Sequence, residues 1–298
     1  MNTARLPAPA TPAAAEGLIL AVVGLGLIGG SMAIDLKRRG YARQVLGVDR
    51  DRLHAATAVR IGLVDEVVAL DEALARAAVI ILAVPVDATL ALLPKVLDGL
   101  SDTQVVTDVA STKGSLVEAV RHHPRRRRFV PSHPMAGTEF SGPWAAFSGL
   151  FDSKAAIVCD QADSAADAVA LIERLYGVLN MRLVHMEARR HDVHVAYVSH
   201  ISHVTSFALA LTVLDKEQDE TAIFDLASGG FSSTARLAKS SADMWTPIFQ
   251  QNSENVVNVL DAYIRKLEEF RRHIAAKDEK SLHEMISDAN RIRRVLNG

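Results

Sequence analysis

Cysteine is almost missing from this chain: Cys159 is the only one in 298 residues. No intrachain disulfide can form, and a reducing, cytoplasmic location is the simple expectation. Neither HExxH nor CxxC occurs, and zinc sites usually show such spacing, so no metal is expected. Net charge is nearly absent too. Lys and Arg number 33 against 35 Asp and Glu, a formal −2, which leaves no global reason to expect nucleic acid or an anionic membrane as partner. An unbroken apolar run is also lacking. Residues 18–34 carry no charge and approach the length of a membrane span, but Gly24, Gly26, Gly29 and Gly30 interrupt them. Four glycines weaken a helix and suit a strand, a tight turn and a closely packed helix start. What is present is ordinary globular composition, 49% hydrophobic and 23% charged, in a chain long enough for two domains. Residues 1–17, rich in Ala and Pro, read as a disordered leader.

The first half alternates strands and helices. A buried strand over 18–23 precedes a helix over 33–39 that stops at Gly40, and the next strand covers 44–49. Between them Gly24, Gly26, Leu27, Ile28 and Gly29 form GxGxxG in the strand-to-helix setting that gives the pattern meaning. There the first glycine makes the turn, the second lets backbone N–H groups approach a pyrophosphate, and the third lets helix pack on strand. Asp49, twenty positions after Gly29, is placed to accept hydrogen bonds from ribose hydroxyls, so NAD is favoured over NADP, although Arg50 and Arg52 beside it can relax the preference. Further strands over 79–86 and 104–108 end at Val84, Pro85 and Asp87, and at Asp108 and Ser111. These are candidates to line the nicotinamide side. Ser111 reads equally well as the N-cap of a helix over 113–121. The run Arg125 to Arg128 reads as a solvated charge cluster.

Residues 132–142, SHPMAGTEFSG, place His133 between Pro131 and Pro134 with two glycines following. That composition suits a loop holding one imidazole in a defined position. After a dinucleotide-binding pattern, such a histidine points to redox chemistry. A strand over 155–159, a helix over 165–179 and a strand over 182–185 close the β signals. From about residue 187 everything reads as helix, which sets a domain boundary near 188, giving domains 18–187 and 188–298. His191, His194, His200 and His203 follow on helix, His191 and His194 reading as hydrogen-bonded interface histidines. Arg236 is the kind of side chain that grips a carboxylate through two parallel hydrogen bonds. Residues 252–298 read as long amphipathic helices suited to packing between subunits.

Taken together, GLGLIGGS, DVASTKGS, SHPMAGTEFSG, YVSHISH and ARLAKSSADMW resemble the prephenate and arogenate dehydrogenases of tyrosine biosynthesis, over nearly the whole chain. The resemblance implies an α/β Rossmann-type dinucleotide-binding domain followed by an all-α dimerisation domain, with the substrate site between them and a homodimer formed through the C-terminal helices. It implies NAD as cofactor and the oxidative decarboxylation of prephenate to 4-hydroxyphenylpyruvate. By the same resemblance His133 accepts the proton of the C4 hydroxyl and Ser111 helps hold it. Arg236 binds a substrate carboxylate, and His203 stands near the pyruvyl side chain. Trp245 and Gly229 join the substrate site, Trp245 from the partner subunit, and Glu139 gates access. Ser202 stands where many relatives have proline, and residues 232–235 read Ser-Ser-Thr-Ala where others often carry a charge, which leaves prephenate and arogenate both open. An arogenate or dual-specificity cyclohexadienyl dehydrogenase is the near alternative, and a non-catalytic NAD sensor the remote one. The choice between His200 and His203 as the substrate-facing residue stays open.

Overall fold

The computed structural model describes residues 17–218 and 222–296. Most of the expected leader, residues 1–16, lies outside the described residues, as do 297 and 298. Apolar, β-branched runs form the central strands because a parallel sheet is buried on both faces. Strands β1 (Leu18–Val23), β2 (Ala42–Val48), β3 (Glu66–Val67), β4 (Val79–Leu82), β5 (Val105–Asp108) and β6 (Phe129–Val130) make one parallel sheet in the order β3-β2-β1-β4-β5-β6. Helices α1 (Leu27–Arg38), α2 (Arg52–Arg60), α3 (Leu70–Arg76), α4 (Val86–Gly99) and α5 (Gly114–Ala119) connect them. This is the doubly wound arrangement, with its ligand crevice at the carboxyl ends of the strands where the order reverses, between β1 and β4. Two apolar clusters cover the sheet. One contains Val22, Met32 and Tyr176, the other Ile80, Leu93 and Phe129.

A second, three-stranded sheet extends the domain: β7 (Ser132–Pro134), β8 (Ala155–Cys159) and β9 (Arg182–Met186), with α6 (Ala166–Val178) between the last two. Residues 132–134 are therefore strand, where the flanking prolines predict loop. β7 runs antiparallel to β8 with His133 opposite Ile157, and a buried hydroxyl cluster secures it. Ser132 Oγ lies 2.7 Å from Thr107 Oγ1 and 2.6 Å from Tyr176 Oη.

Beyond β9 the chain is helical. α7 (Ala188–Val195) runs through one π turn (Ala196–His200) into α8 (Ile201–Glu217). α9 (Gly229–Ala235), α10 (Ala242–Gln251), α11 (Ser253–Ala275) and α12 (Glu279–Ala289) follow. The stretch Ala188–Glu217 is long and apolar enough to cross a membrane by length and composition alone, and little of it is buried. Residues 18–34 form strand, turn and helix instead of a span.

Two element boundaries differ from the sequence reading. α1 starts at Leu27, six residues before the predicted start, because the turn glycines themselves enter the helix. β4 ends at Leu82, with Pro85 as the N-cap of α4. The run Arg125 to Arg128 is only partly solvated. Arg126 and Arg128 are buried, Arg128 donating to Asp167 at 2.8 Å and to the Gln104 carbonyl at 2.8 Å.

Candidate active site

The dinucleotide cradle is built from three glycines with different duties. Gly24 has φ +98°, and a Cβ there would meet the Ala83 carbonyl oxygen at 2.4 Å. Gly29 would drive a Cβ to 2.0 Å from the Gly24 carbonyl oxygen, so it permits close helix–strand contact. Nothing lies within 4 Å of the missing Cβ of Gly26, which leaves the N-terminus of α1 open to a phosphate group. Leu27 and Ile28 begin α1 behind it. The Asp49 carboxylate accepts from Leu25 N and Asp51 N, both at 2.9 Å, lacing the end of β2 to the glycine turn. Across the crevice Thr89 Oγ1 donates to the carbonyls of Val84 and Pro85 at 3.1 Å. Pro85 and Asp87 are exposed at the start of α4. These groups fit a dinucleotide: an open helix N-terminus for its phosphates and a fixed carboxylate for its hydroxyls.

Asp108 does not line this crevice, contrary to the sequence reading. It is fully buried, paired with the buried Lys113, and also accepts from Ala110 N at 3.0 Å and Ser132 N at 3.2 Å. Its acceptor capacity is spent tying β5 to β7. Ser111 is not a helix N-cap either, since α5 begins three residues later and its first amides are capped by Asp192. The Ser111 side chain is half-buried in the turn after β5.

His133, on β7, is buried, and its Nδ1 lies 2.9 Å from His191 Nε2. His191 Nδ1 lies 2.8 Å from Asp192 Oδ1. Asp192 accepts in addition from Lys113 N at 2.8 Å and Gly114 N at 2.7 Å. These contacts assign every proton. A carboxylate can only accept, so His191 carries its proton on Nδ1 and accepts on Nε2; His133 then donates from Nδ1 and holds its Nε2 lone pair outward. Burial, together with the neighbouring His191, Lys113 and His200, pushes the His133 pKa well below the ordinary histidine value. Burial lowers His191 as well, against the opposing pull of Asp192. Burial alone would raise Asp192, but His191 and the two amides overcome it and hold the carboxyl below its usual range. The array is an anionic carboxylate, a neutral histidine and a second neutral histidine in series. Sequence reasoning left His191 as a bland interface residue. Its partner is 58 positions away, and no local pattern marks it.

The helical module supplies the other wall. Asn252, at the N-cap of α11, donates to the Asp192 carbonyl at 2.7 Å and to His200 Nδ1 at 3.2 Å. His200 is fully buried, edge-on to Trp245 and Phe249, with its pKa lowered to about 4 by burial. His203 is half-buried. It donates from Nδ1 to the Ser199 carbonyl at 3.1 Å, and its ring stacks on Trp245 with centroids 3.5 Å apart. Of the two histidines, His203 is therefore the accessible one. Burial and the Arg236 charge lower its pKa. Within its own chain Trp245 is buried and stacked on His203. Arg236 is exposed and reaches Glu139 Oε2 at 3.3 Å, joining the helical module to the segment after β7. Gly229 is exposed at the start of α9, with open space where a Cβ would stand. Among the described residues no group of three or more His, Cys, Asp or Glu is arranged to hold a metal.

The family model described as prephenate dehydrogenase, nucleotide-binding domain, matches residues 32–185, and that described as prephenate dehydrogenase, dimerization domain, matches 187–288. The chain is 31% identical to the prephenate dehydrogenase of Bacillus subtilis (strain 168) over 264 residues, covering 88% of this chain and 71% of that protein. It is 30% identical to the cyclohexadienyl dehydrogenase of Zymomonas mobilis, covering 93% of this chain and 95% of that one. Among solved structures, a prephenate dehydrogenase from A. aeolicus in complex with hydroxyphenyl propionate and NAD+ superposes with a TM-score of 0.87 at 28% identity, covering 95% of this chain and all of that one. A Synechocystis arogenate dehydrogenase superposes with a TM-score of 0.75 at 29% identity, covering 94% and 100%.

Proposed function

The chain belongs to the prephenate dehydrogenase family, and from that premise we propose that it converts prephenate to 4-hydroxyphenylpyruvate with NAD+, His133 acting as the base. The observation that carries this reading is the Asp192–His191–His133 series, which leaves His133 Nε2 as an acceptor. NAD+, when bound, accepts the hydride from C4. His133 takes the proton of the C4 hydroxyl, raising electron density on C4 as the hydride departs and the C1 carboxylate leaves as CO2. Positive charge arriving on His133 is spread through His191 towards Asp192, so the base works without exposing an isolated imidazolium in a buried site. Ser111 is assigned to the same hydroxyl. Arg236 takes a substrate carboxylate, and His203, fixed by Ser199 and Trp245, presents Nε2 to the side chain of the acid.

Prephenate plus NAD+, followed by NADH absorbance, tests the activity. Folded, NAD-binding protein that turns over neither prephenate nor arogenate would refute it. His133→Asn should lower kcat by roughly two to four decades with NAD affinity nearly intact, as for loss of a general base. Arogenate is a second reading with its own support. Glu139 sets a carboxylate 3.3 Å from Arg236, where an ammonium could pair in place of the keto group. Under this reading Glu139→Gln should reduce kcat/KM for arogenate about tenfold while leaving prephenate nearly unchanged, in line with loss of one charge-assisted contact. We further propose that two copies associate through the helical module, and that the protein works in the cytoplasm with Cys159 reduced.

A further inference from the structure

Buried polar atoms without partners are rare enough in proteins that each asks for an explanation. Among the described residues four side-chain atoms are in this state. His200 Nε2 and Trp245 Nε1 belong to the site already described, and Thr112 Oγ1 sits between its residues Ser111 and Lys113. The fourth, Arg126 Nη2, lies elsewhere. Arg126 as a residue borders a cleft of about 1040 Å³ between α5, the turn before β6, the end of β9 and the start of α7, with Nη2 itself shielded from solvent.

Five arginines converge on this cleft: Arg121, Arg126, Arg127, Arg189 and Arg190. Arg126 is anchored, with Nη1 donating to the Phe129 carbonyl at 2.9 Å and the guanidinium carbon 5.5 Å from the centroid of the Phe129 ring. Only Arg121 has an ion-pair partner among the described residues, Glu118. Three carboxylates face the five guanidinium groups, those of Asp160, Asp163 and Glu187. Asp160 is engaged in capping α7 through Ala188 N at 2.9 Å. With Glu118 counted, one positive charge is left over, and Arg127, Arg189 and Arg190 have no ion-pair partner among the described residues; gathering these guanidinium groups in a concave surface is unfavourable unless an anion is there to meet them.

We propose that this cleft is a binding site for a small dianion, a phosphate monoester or a dicarboxylate, separate from the substrate site. Arginines match both groups because their paired N–H donors fit two oxygens of one carboxylate or phosphate. The position also gives an occupant something to act on. It touches α5 through Val117, the turn after it through Arg121, and α7 through Ala188, Arg189 and Arg190. Asp192 clamps these same two helices together while it orients His191.

The test is thermal unfolding in saturating NAD+, which fills the dinucleotide cradle, with inorganic phosphate or succinate titrated against chloride at constant ionic strength. A saturable rise in the unfolding midpoint is expected with at least one of the two anions. Phosphate alone points to a phosphate ester, succinate alone to a dicarboxylate. The rise should persist in Arg236→Gln and disappear in the double variant Arg127→Gln/Arg190→Gln, whose substitutions are at exposed positions and should leave the circular dichroism spectrum and activity without added anion unchanged. No saturable rise, a rise that survives the double variant, or one abolished by Arg236→Gln would overturn the proposal, the last by placing the anion in the substrate pocket.

Discussion

At the scale of single residues, the direction of the proton on each ring nitrogen matters more than the presence of a histidine. Asp192→Asn tests this. An amide that turns its NH2 towards His191 reverses the series, so that His133 Nε2 carries the proton and can no longer accept one. kcat should fall on the order of 10²- to 10⁴-fold with KM for NAD+ unchanged, the split expected of a group that acts through another. A fall in NAD affinity of the same size would make Asp192 merely structural. The pH profile carries a second sign. His133 titrates well below 6.5 because it is buried among His191, Lys113 and His200, and the base works only when neutral. Activity should therefore stay full down through pH 6.5 and be lost only at lower pH; an acid limb centred at 6.5 would mean an exposed imidazole. The sequence alone supports the unshifted value, since desolvation depends on neighbours brought in by the fold.

At the scale of elements, local patterns were legible and long-range ones were not. GxGxxG followed by Asp49 identifies the first βαβ unit because every contact in it is made within about thirty residues. Prolines on both sides of His133 argue for loop, while the strand that carries it depends on pairing with β8, more than twenty positions away. The arginine run before β6 looked solvated, yet Arg126 and Arg128 point inward to carbonyls that no pattern announces. The joint between β7, α7 and α8 has a measurable acid sensitivity. His133, His191 and His200 all have folded pKa values below the unfolded 6.5 because of burial, with His200 near 4. Their contribution is complete above pH 6.5. Below it the unfolded chain takes up protons that the fold refuses, so stability should drop by about 1.4 kcal/mol per pH unit for each histidine still neutral in the fold. Urea midpoints at pH 7 and pH 5 measure this, and equal midpoints would contradict it.

At the scale of the whole molecule, the helical module leaves apolar side chains in water. Leu211 is 60% exposed, Leu267 49% and Ile286 54%, apolar surface on the helical module that a second copy would cover. Sedimentation should give twice the chain mass, and Leu267→Asp should shift it towards one chain; a monomeric wild type would remove the dimer proposal. The two modules are also held together at the proposed base. His133 belongs to the first, His191 and Asp192 to the second, and Asp192 grips α5 of the first again. That series runs inward and ends on a buried carboxylate, which fits the proposed conversion in a specific way. Prephenate enters with a hydroxyl and the aromatic product leaves with one, so hydride and CO2 depart but no net proton does. The imidazole therefore has nothing to deliver to bulk water. It lifts a proton off an oxygen, keeps it inside while the ring becomes aromatic, and sets it back on the same oxygen, so that turnover should be indifferent to buffer concentration.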